Sequence, residues 1–439
     1  MELPQYVRRC IDALEDAGFE AYAVGGCVRD HLLGLQPHDF DLCTSALPDQ
    51  TRTVFSGDNL VLAGLKHGTV GVVTEGGVVE ITTYRTEGGY RDSRHPDWVK
   101  FVPHIREDLA RRDFTVNAMA YSPTRGYCDP FGGQNDLKDG ILRAVGHAPT
   151  RFSEDALRIL RGVRFAARFR LIPEQATMDA MTDLCPTMDC LARERVFEEL
   201  CKLLSVAQPE DLLRYSRILA AAIPELAPMI GFDQRSPHHA FDVFTHTAYV
   251  CGGVPADLPL RWAALLHDVG KPSCFTTDST GRGHFYGHAQ VGSDMADAIL
   301  RRLKAPTALR ERVVFLIRHH MTSLPPERKI LRRRLSQYGQ EAVFQLLALQ
   351  RADFGGKGVF GEVTDFDAVE AMLHTLIAED ACLRVKDLAV SGKDLMAIGI
   401  PAGPQLGQCL NHLLEQVLDE TLPNEKSALL KYAARKECL

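Results

Sequence analysis

Two aspartates and a pair of glycines near the amino terminus have the chemistry to bind a metal ion and a phosphate group together. Asp39 and Asp41 are separated by one residue, so on an extended strand both carboxylates project from the same face. Mg²⁺ is usually held by one or two carboxylates, with substrate phosphates and water as its other ligands. Gly25 and Gly26 follow a short apolar run, where a turn from strand to helix would bring backbone N–H groups against phosphate. With Arg29, the segment indicates metal-dependent phosphoryl or nucleotidyl transfer, although each motif alone is also compatible with an ordinary turn and a solvated strand end.

A second group of phosphate donors lies in the run RRDFTVNA, which begins at Arg111. Arginine carries a fixed fork of donors for phosphate oxygens, so Arg111 and Arg112 are candidates for binding a triphosphate. Asn117 is a candidate for binding its ribose. Glu80, in the predicted strand VVEITTYR, is a candidate for a third carboxylate at the metal. A solvated arginine pair is an equally good interpretation of the first segment when it is considered alone.

The segment SEDALRILRGVRFAARF predicts a helix that begins at Ser153 and places Asp155 and Arg158 on one face, three residues apart. A carboxylate acceptor beside a guanidinium donor complements the pairing edges of both cytosine and adenine, whereas uracil and guanine present the reverse order. The pair would therefore select C and A without a nucleic-acid template. Arg161 and Arg164 continue the same face towards the phosphates. The alternative is an exposed ion pair on a helix surface, which would contribute little to stability.

These segments resemble the motifs of class II tRNA nucleotidyltransferases, the CCA-adding enzymes, in their long bacterial form. The likeness covers nearly the whole chain and runs through GGCVRDHLLGLQPHDFDLCT, RRDFTVNAMA, DPFGGQNDLKDGILRAVG, SEDALRILRGVRFAARF and LARERVFEELCKLL. The resemblance implies that Asp39 and Asp41 bind the catalytic Mg²⁺. It implies that seven residues bind CTP or ATP: Gly26, Arg29, Arg112, Asp155, Arg158, Arg161 and Arg164. The implied reaction is template-independent addition of C, C and A to the 3′ end of tRNA, with release of pyrophosphate.

The resemblance leaves the product open, because relatives include poly(A) polymerases and enzymes that add only CC or only A. The segment from Tyr84 to Val99 resembles the flexible loop of enzymes that complete the terminal A. The carboxy-terminal segment DLAVSGKDLMAIGIPAGPQLGQCLNHLLEQVL resembles the part of the long form that grips the tRNA elbow and acceptor arm. Both favour complete CCA addition over polyadenylation. A rival of another class is an RNA-binding protein or RNA-end phosphohydrolase with a degenerate transferase head.

A second metal site is predicted at the His-Asp doublet of LRWAALLHDVGK. Two histidines and two aspartates make a plausible shell for a divalent transition metal: His246, His267, Asp268 and Asp353. The set resembles the HD phosphohydrolase signature, which implies that the bound metal activates water for attack on a phosphoester. Three further histidines are candidates for ligands of a second ion: His288, His319 and His320.

Composition sets the class of protein. The 439 residues, 45% hydrophobic and 24% charged, are typical of a globular protein of roughly three domains. A net charge of −7 argues against a generally basic nucleic-acid binder, so local arginine clusters matter more than the total. The twelve cysteines form no C-x-x-C pair, the amino terminus predicts an amphipathic helix, and no apolar run is long enough to cross a membrane. These features predict a cytoplasmic protein with reduced thiols and no membrane partner, and they leave its oligomeric state open.

The elements that must position these residues are predicted to form an α+β protein. Short β-rich runs alternate with helices and loops through about residue 150, and helical periodicity dominates the remainder. We expect a mixed α/β nucleotidyltransferase head at 1–150, polymerase-beta-like by the resemblance. An all-helical neck with the nucleotide-selecting helix is expected at 151–230, an HD-type helical metal domain at 231–380, and a helical tRNA-binding tail at 381–439.

Overall fold

The structure, a computed structural model, describes residues 1–37, 39–88, 98–358, 365–379 and 382–435. The chain divides into two compact units, residues 1–227 with 302–305 and residues 228–301 with 306–439. The first unit contains a large sheet and helices, and the second is almost entirely helical. The predicted mixed α/β head and helical remainder are therefore confirmed.

Eleven strands are described in the first unit: β1 (Ala21–Val24), β2 (Asp41–Thr44), β3 (Leu60–Val61), β4 (Thr69–Thr74), β5 (Gly77–Thr83), β6 (Arg85–Gly88), β7 (Trp98–Phe101), β8 (Ala120–Ser122), β9 (Gly126–Cys128), β10 (Ile141–Leu142) and β11 (Ile172–Pro173). Seven of them form one sheet in the order β3-β4-β5-β2-β1-β8-β9. Its neighbours are antiparallel except for β2 and β5, which are parallel. The strands β6 and β7 form a separate antiparallel hairpin.

The helices of the first unit are α1 (Gln5–Asp16), α2 (Gly26–Leu32), α3 (Pro48–Val54), α4 (Ile105–Ala110), α5 (Gly133–Asp139), α6 (Ala148–Glu154), α7 (Leu157–Phe169), α8 (Gln175–Leu184), α9 (Arg193–Leu204), α10 (Pro209–Arg214) and α11 (Ser216–Ala222). Alternate strand residues such as Ala23, Leu42 and Ile81 pack with the apolar side of α1 on one face of the sheet. On the other face, Tyr22 and Cys43 pack in a second cluster that includes residues of α4. The sheet is therefore buried on both faces near β1 and β2.

The second unit contains α12 (Val243–Gly253), α13 (Leu258–Leu266), α14 (His288–Arg302), α15 (Thr307–His319), α16 (Arg328–Tyr338), α17 (Gln340–Gly355), α18 (Phe366–Ala378), α19 (Gly392–Ala397), α20 (Pro404–Leu418) and α21 (Lys426–Ala434), with the short pair β12 (Thr276–Thr277) and β13 (Gly283–His284). Residues between 382 and 433 share a hydrophobic cluster of their own. The basic helix α16 is tied to acidic residues of the same unit, with Arg328 bound to Glu379 and Glu420 and Arg333 bound to Asp419.

One long-range ion pair closes the first unit. Both terminal nitrogens of Arg302 donate to the two carboxylate oxygens of Glu225 at 2.6 Å, across 77 residues of sequence. The bidentate geometry is the strong form of a charge-assisted hydrogen bond. Residues 302–305 consequently belong to the first unit, although part of the second unit precedes them in the chain.

Two further features of the described residues concern the cysteines and the helices. All eleven cysteines in the described ranges are free. None of the described helices combines the length and the apolar character that a membrane crossing requires.

Candidate active sites

The turn between β1 and α2 has no room for a side chain at Gly25, which lies against Arg112. Gly25 has a φ of 77°, which disfavours any residue with a side chain. A Cβ atom at this position would also lie 2.8 Å from Nη1 of Arg112. Gly25 precedes the amino terminus of α2, whose first residue is Gly26. The predicted turn and the predicted arginine therefore meet at one point of the head.

Asp39 and Asp41 lie beside this turn. Asp41 is the first residue of β2, and Asp39 lies before the strand. Both side chains are exposed, whereas Phe40 and Leu42 pack in the core, so the predicted alternation of exposure is present. Asp41 pairs with Glu80 across the parallel strands β2 and β5. Although its side chain is solvent-accessible, desolvation by the surrounding protein raises the pKa of Asp41, the charges of Glu80 and Asp39 raise it further, and Arg112 opposes them. This crowding of carboxylates favours a bound cation, as expected for a metal site.

Glu80 lies next to the aspartate pair without completing a three-carboxylate cage. Within the described residues, no group that includes Asp39, Asp41 and Glu80 brings three ligand atoms within 4.8 Å of one another. Two protein carboxylates are nevertheless sufficient for Mg²⁺ when substrate phosphates supply further oxygens.

Arg29 is held rigidly inside the head. It is 6% exposed, donates to Asp30 at 2.6 and 2.8 Å and to Oδ1 of Asn117 at 2.5 Å, and lies over the Phe169 ring at 4.3 Å. Burial lowers the pKa of its guanidinium, and the charge and hydrogen bonds of Asp30 oppose this effect. Arg29 therefore supplies a fixed positive charge behind the turn.

The predicted helix start at Ser153 is wrong. Ser153 lies inside α6, which ends at Glu154, and α7 begins only at Leu157. Asp155 between them is extended, with φ −143° and ψ 102°, because its Oδ1 accepts a hydrogen bond from the Leu157 amide at 3.0 Å. Asp155 and Arg158 consequently do not share a face of one continuous helix. The other oxygen of Asp155 lies 2.9 Å from Nη2 of Arg195, on α9.

Each arginine of α7 that was predicted to contact a nucleotide has an acidic partner. Arg158 donates to Glu154 at 2.8 Å, and Nε of Arg161 donates to Asp113 at 2.8 Å. Nε of Arg164 donates to Glu199 at 2.6 Å.

The Phe165 ring lies among three of the predicted arginines. The guanidinium carbons of Arg29, Arg161 and Arg164 are between 4.2 and 5.3 Å from its centroid. These residues therefore form a preorganised cationic wall whose members are fixed by carboxylates and by aromatic rings.

In the second unit, the structure brings together all four predicted metal ligands, which we term the histidine cluster: His246, His267, Asp268 and Asp353. Nε2 of His246 lies 3.0 Å from Oδ1 of Asp353 and 3.4 Å from Oδ2 of Asp268, and Nε2 of His267 lies 3.1 Å from the same Asp268 oxygen. These two nitrogens and this oxygen are buried and have no hydrogen bond of normal geometry, although the Lys271 ammonium is 2.7 Å from Asp268. Two imidazole nitrogens and a carboxylate oxygen that converge in this way have the ligand chemistry of a divalent transition-metal site.

The orientation of the rings supports the same conclusion. Nδ1 of His246 lies 3.0 Å from the Gly356 carbonyl, and Nδ1 of His267 lies 2.8 Å from the Ala264 carbonyl. Each Nδ1 therefore carries a proton, and the neutral imidazole then has its lone pair on Nε2, the arrangement of metal-bound histidines. The residues fit a transition-metal ion.

Two further histidines extend the cluster, and one does not. His288 and His320 also turn Nδ1 to backbone carbonyls, and their Nε2 atoms face each other at 3.2 Å. With Asp268 they form a second group of three convergent ligands. His319 instead has Nδ1 3.4 Å from the Tyr338 hydroxyl, so its predicted membership is wrong. An adjoining cavity of about 250 Å³ is lined by residues that include Lys271 and Lys357.

Comparison with known proteins identifies the family. The family model described as the poly(A) polymerase head domain matches residues 21–143, and the model described as a probable RNA- and SrmB-binding site of polymerase A matches 171–230. A putative tRNA nucleotidyltransferase domain 2 matches 285–433. The CCA-adding enzyme of Streptococcus gordonii is 33% identical over 99% of both chains, and that of Levilactobacillus brevis is 34% identical over 97% of this chain and 96% of its own. The chain belongs to the CCA-adding enzyme family.

Solved structures of CCA-adding enzymes share the fold. The Bacillus stearothermophilus CCA-adding enzyme in complex with CTP has 28% identity and a TM-score of 0.75, over 99% of this chain and 98% of its own. The Thermotoga maritima CCA-adding enzyme complexed with tRNA has 20% identity and a TM-score of 0.62, over 99% and 97% of the two chains. Nucleotidyltransferases of this family use a divalent metal ion.

Sequence reasoning missed the acidic and basic residues that hold the predicted nucleotide-binding groups. Asp113, Glu199 and Arg195 all lie in segments that resemble motifs of the CCA-adding enzymes. Their partners are distant in the sequence: Arg161 is 48 positions from Asp113, Arg164 is 35 from Glu199, and Asp155 is 40 from Arg195. Lys271, which lies beside Asp268, was signalled by the Gly-Lys that follows the doublet. Residues 89–97 of the predicted flexible loop lie outside the described residues.

Proposed function

We propose that the protein adds C, C and A to the 3′ end of tRNA, taking CTP and ATP and releasing pyrophosphate. The proposal rests on one observation: a chain that matches CCA-adding enzymes from end to end keeps Asp39 and Asp41 exposed on one face, next to Gly25 and Arg112. The 3′-hydroxyl of the tRNA attacks the α-phosphorus in line, and pyrophosphate leaves.

The residues of the head divide the work of this reaction. Asp39 and Asp41 would hold Mg²⁺, which neutralises charge on the phosphates and on the attacking oxygen when it is bound. Arg112 and the N–H groups at the start of α2 bind phosphate oxygens, with Gly26 leaving room for them. Glu80, on the neighbouring strand β5, would place a third carboxylate near the metal. Rate enhancement then comes mainly from alignment and charge neutralisation.

Selection of C and A is assigned to Asp155 and Arg158, even though they do not share one helix. Asp155 is fixed by the Leu157 amide and by Arg195, and Arg158 by Glu154 and by the carbonyls of Arg151 and Arg111. Each group retains further donor or acceptor capacity with which it can pair with a base. Arg29, Arg161 and Arg164 supply the positive charge behind the nucleotide.

The decisive experiment offers tRNA that lacks its CCA end with each nucleotide alone and in combination, and sizes the products. Three added residues are expected with CTP and ATP, whereas an unbounded ladder from ATP alone would mean polyadenylation. Asp39→Ala and Asp41→Ala should abolish incorporation with unchanged circular dichroism. Asp12→Ala, which removes an exposed carboxylate from α1, is the matched control. Activity retained in both active-site variants would overturn the assignment.

A test of selection uses Asp155→Ala. We expect it to incorporate UTP and GTP relative to CTP and ATP more readily than the parent, or to lose incorporation generally, with tRNA affinity less affected. An unchanged choice among the four nucleotides would contradict the assignment.

Each segment of the chain has its own role in the proposed reaction. The head at 1–150 performs transfer, the neck at 151–230 selects the nucleotide, and the tail at 381–439 holds tRNA. The place of action is the cytoplasm, where the tRNA and nucleotide partners are found.

A second activity is proposed for the histidine cluster, which would hold a divalent transition metal and hydrolyse phosphoesters. The observation that favours it is that histidine Nε2 atoms and two aspartate carboxylates converge beside two lysines. A bound metal would supply a nucleophilic water, and Lys271 and Lys357 would neutralise the phosphate. Asp353, whose side chain is 17% exposed, is the least buried of the four proposed ligands.

The test supplies purified protein with Ni²⁺, Mn²⁺ or Co²⁺ and offers 2′,3′-cyclic nucleotides and model diesters. Hydrolysis and metal content are both expected to fall in His267→Ala. His319→Ala is the control, because this histidine neighbours the cluster without joining it. If no metal supports hydrolysis, the cluster is structural.

A further inference from the structure

The hairpin of β6 and β7 presents an exposed aromatic ring at the end where the two strands border residues 89–97. Trp98 is 52% exposed, although tryptophan usually buries most of its surface. It pairs with Gly88 across the hairpin, and its indole occupies the space that a side chain at position 88 would need, 2.6 Å from the ideal Cβ position. The six-membered ring of the indole therefore packs on Gly88, and about half of the Trp98 surface remains exposed.

The other side of the hairpin is used to attach it to the head. Phe101 occupies the space beside Gly68, where a Cβ atom would lie 2.6 Å from its ring. Arg85 and Glu87 form ion pairs with each other, and Glu87 also pairs with Arg111. Successive residues of a strand point to opposite sides, so these anchoring groups leave Trp98 on the opposite face.

An exposed lysine lies on the same side of the hairpin as Trp98. Lys100 is exposed and lies two residues further along the strand, on the same side as Trp98, and it pairs with Thr86. Glu87 is the one acidic residue among the described residues of the hairpin, and its side chain is on the anchoring side. An exposed aromatic ring beside an ammonium group matches the chemistry of single-stranded nucleic acid, in which bases stack and phosphates pair with cations.

The hairpin is also connected to the proposed nucleotide site. The Arg85 amide donates to Oδ1 of Asp108 at 3.2 Å, and the other oxygen of Asp108 is 3.5 Å from Nη2 of Arg112. Gly88 lies eight residues beyond Glu80 along the chain, at most roughly 26 Å of extended strand. A few nucleotides of single-stranded RNA span this distance from a 3′-hydroxyl at Asp41.

We propose that Trp98 is a stacking platform for an unpaired base near the 3′ end of the tRNA, and that Lys100 binds an adjacent phosphate. The proposal rests on the proposed CCA addition, for which it names the surface that receives the acceptor strand. It assigns no contact to the incoming CTP or ATP.

Kinetics with matched variants test the platform. Loss of one base–aromatic stack should raise the KM for tRNA in Trp98→Ala about tenfold. Trp98→Phe keeps a ring and should stay within about threefold of the parent. The KM values for CTP and ATP should be unchanged in both. A rise in the nucleotide KM instead, or equal tRNA KM values in the parent and Trp98→Ala, would overturn the proposal.

Fluorescence gives a second measurement that does not depend on catalysis. The chain has two tryptophans, and Trp262 is completely buried, so acrylamide should quench chiefly Trp98. Saturating tRNA should protect this signal, and a duplex RNA with blunt ends should not. The fluorescence of Trp98→Phe comes from Trp262 and is subtracted as the background. Unchanged quenching at saturating tRNA would refute the platform, whereas absence of nucleotide addition by the parent would refute CCA addition independently.

Discussion

Asp113→Asn should destabilise the first unit by about 2 kcal/mol and raise the KM for both nucleotides. The Asp113 carboxylate is 7% exposed and binds Arg161 through Nε at 2.8 Å and Nη2 at 2.7 Å, with the Asn117 amide at 3.1 Å. Burial alone would raise its pKa, but Arg161 and Asn117 together lower that pKa from 3.8 to about 2. The difference corresponds to about 2.4 kcal/mol in favour of the folded state at neutral pH.

The sign of the pH dependence follows from the depressed pKa. The contribution of Asp113 is fully present above pH 4 and disappears as the pH falls through 2, since the unfolded carboxylate takes up its proton first. The asparagine variant should therefore differ from the parent at pH 7, with a difference that shrinks towards pH 2.

A double-mutant cycle isolates the pair. Urea unfolding at pH 7 is compared for the parent, Asp113→Asn, Arg161→Gln and the double variant, and we expect a coupling free energy of about 2 kcal/mol. Any transition of the second unit serves as the internal reference. Unfolding free energies that add to within about 0.5 kcal/mol would refute the reasoning, because they would mean that Arg161 does not cause the depressed pKa.

Three other outcomes follow from contacts described above. Arg195→Ala should release Asp155 and reduce kcat/KM for CTP and ATP about tenfold, measured with tRNA lacking its CCA end, while equal values in the parent and the variant would separate Arg195 from selection. Glu199→Ala leaves Arg164 buried without its partner and should cost about 3 kcal/mol in urea unfolding, and a loss below about 1 kcal/mol would mean that water replaces the carboxylate. Ni²⁺ or Mn²⁺ at one hundred times its dissociation constant should stabilise the second unit by about 2.7 kcal/mol, seen as a higher Tm that His267→Ala lacks, and equal Tm shifts in both proteins would place the metal elsewhere.

The features predicted best from the sequence were those fixed by local spacing. The alternation that exposes Asp39 and Asp41 needs only the period of a strand, and the turn at Gly25 follows from its glycines. The histidine cluster was also found, because a His-Asp doublet is uncommon and its partners are of few residue types.

The predictions that were wrong concern residues for which local and distant contacts compete. Helical spacing continues through Asp155, yet its side chain binds the Leu157 amide and Arg195, and the helix breaks there. His319 and His320 are adjacent, and only the direction of the helix face decides which one joins the cluster. Neither outcome can be calculated from spacing alone.

The bidentate bond between Glu225 and Arg302 has a consequence for synthesis of the chain. The ribosome releases Glu225 well before Arg302, which lies 77 positions later in the chain. During this interval most of the first unit has been made, but its closing cation has not. The first unit therefore reaches its final set of contacts only after a large part of the second unit has emerged, and a nascent chain arrested before residue 302 should be more sensitive to proteases than one arrested after it.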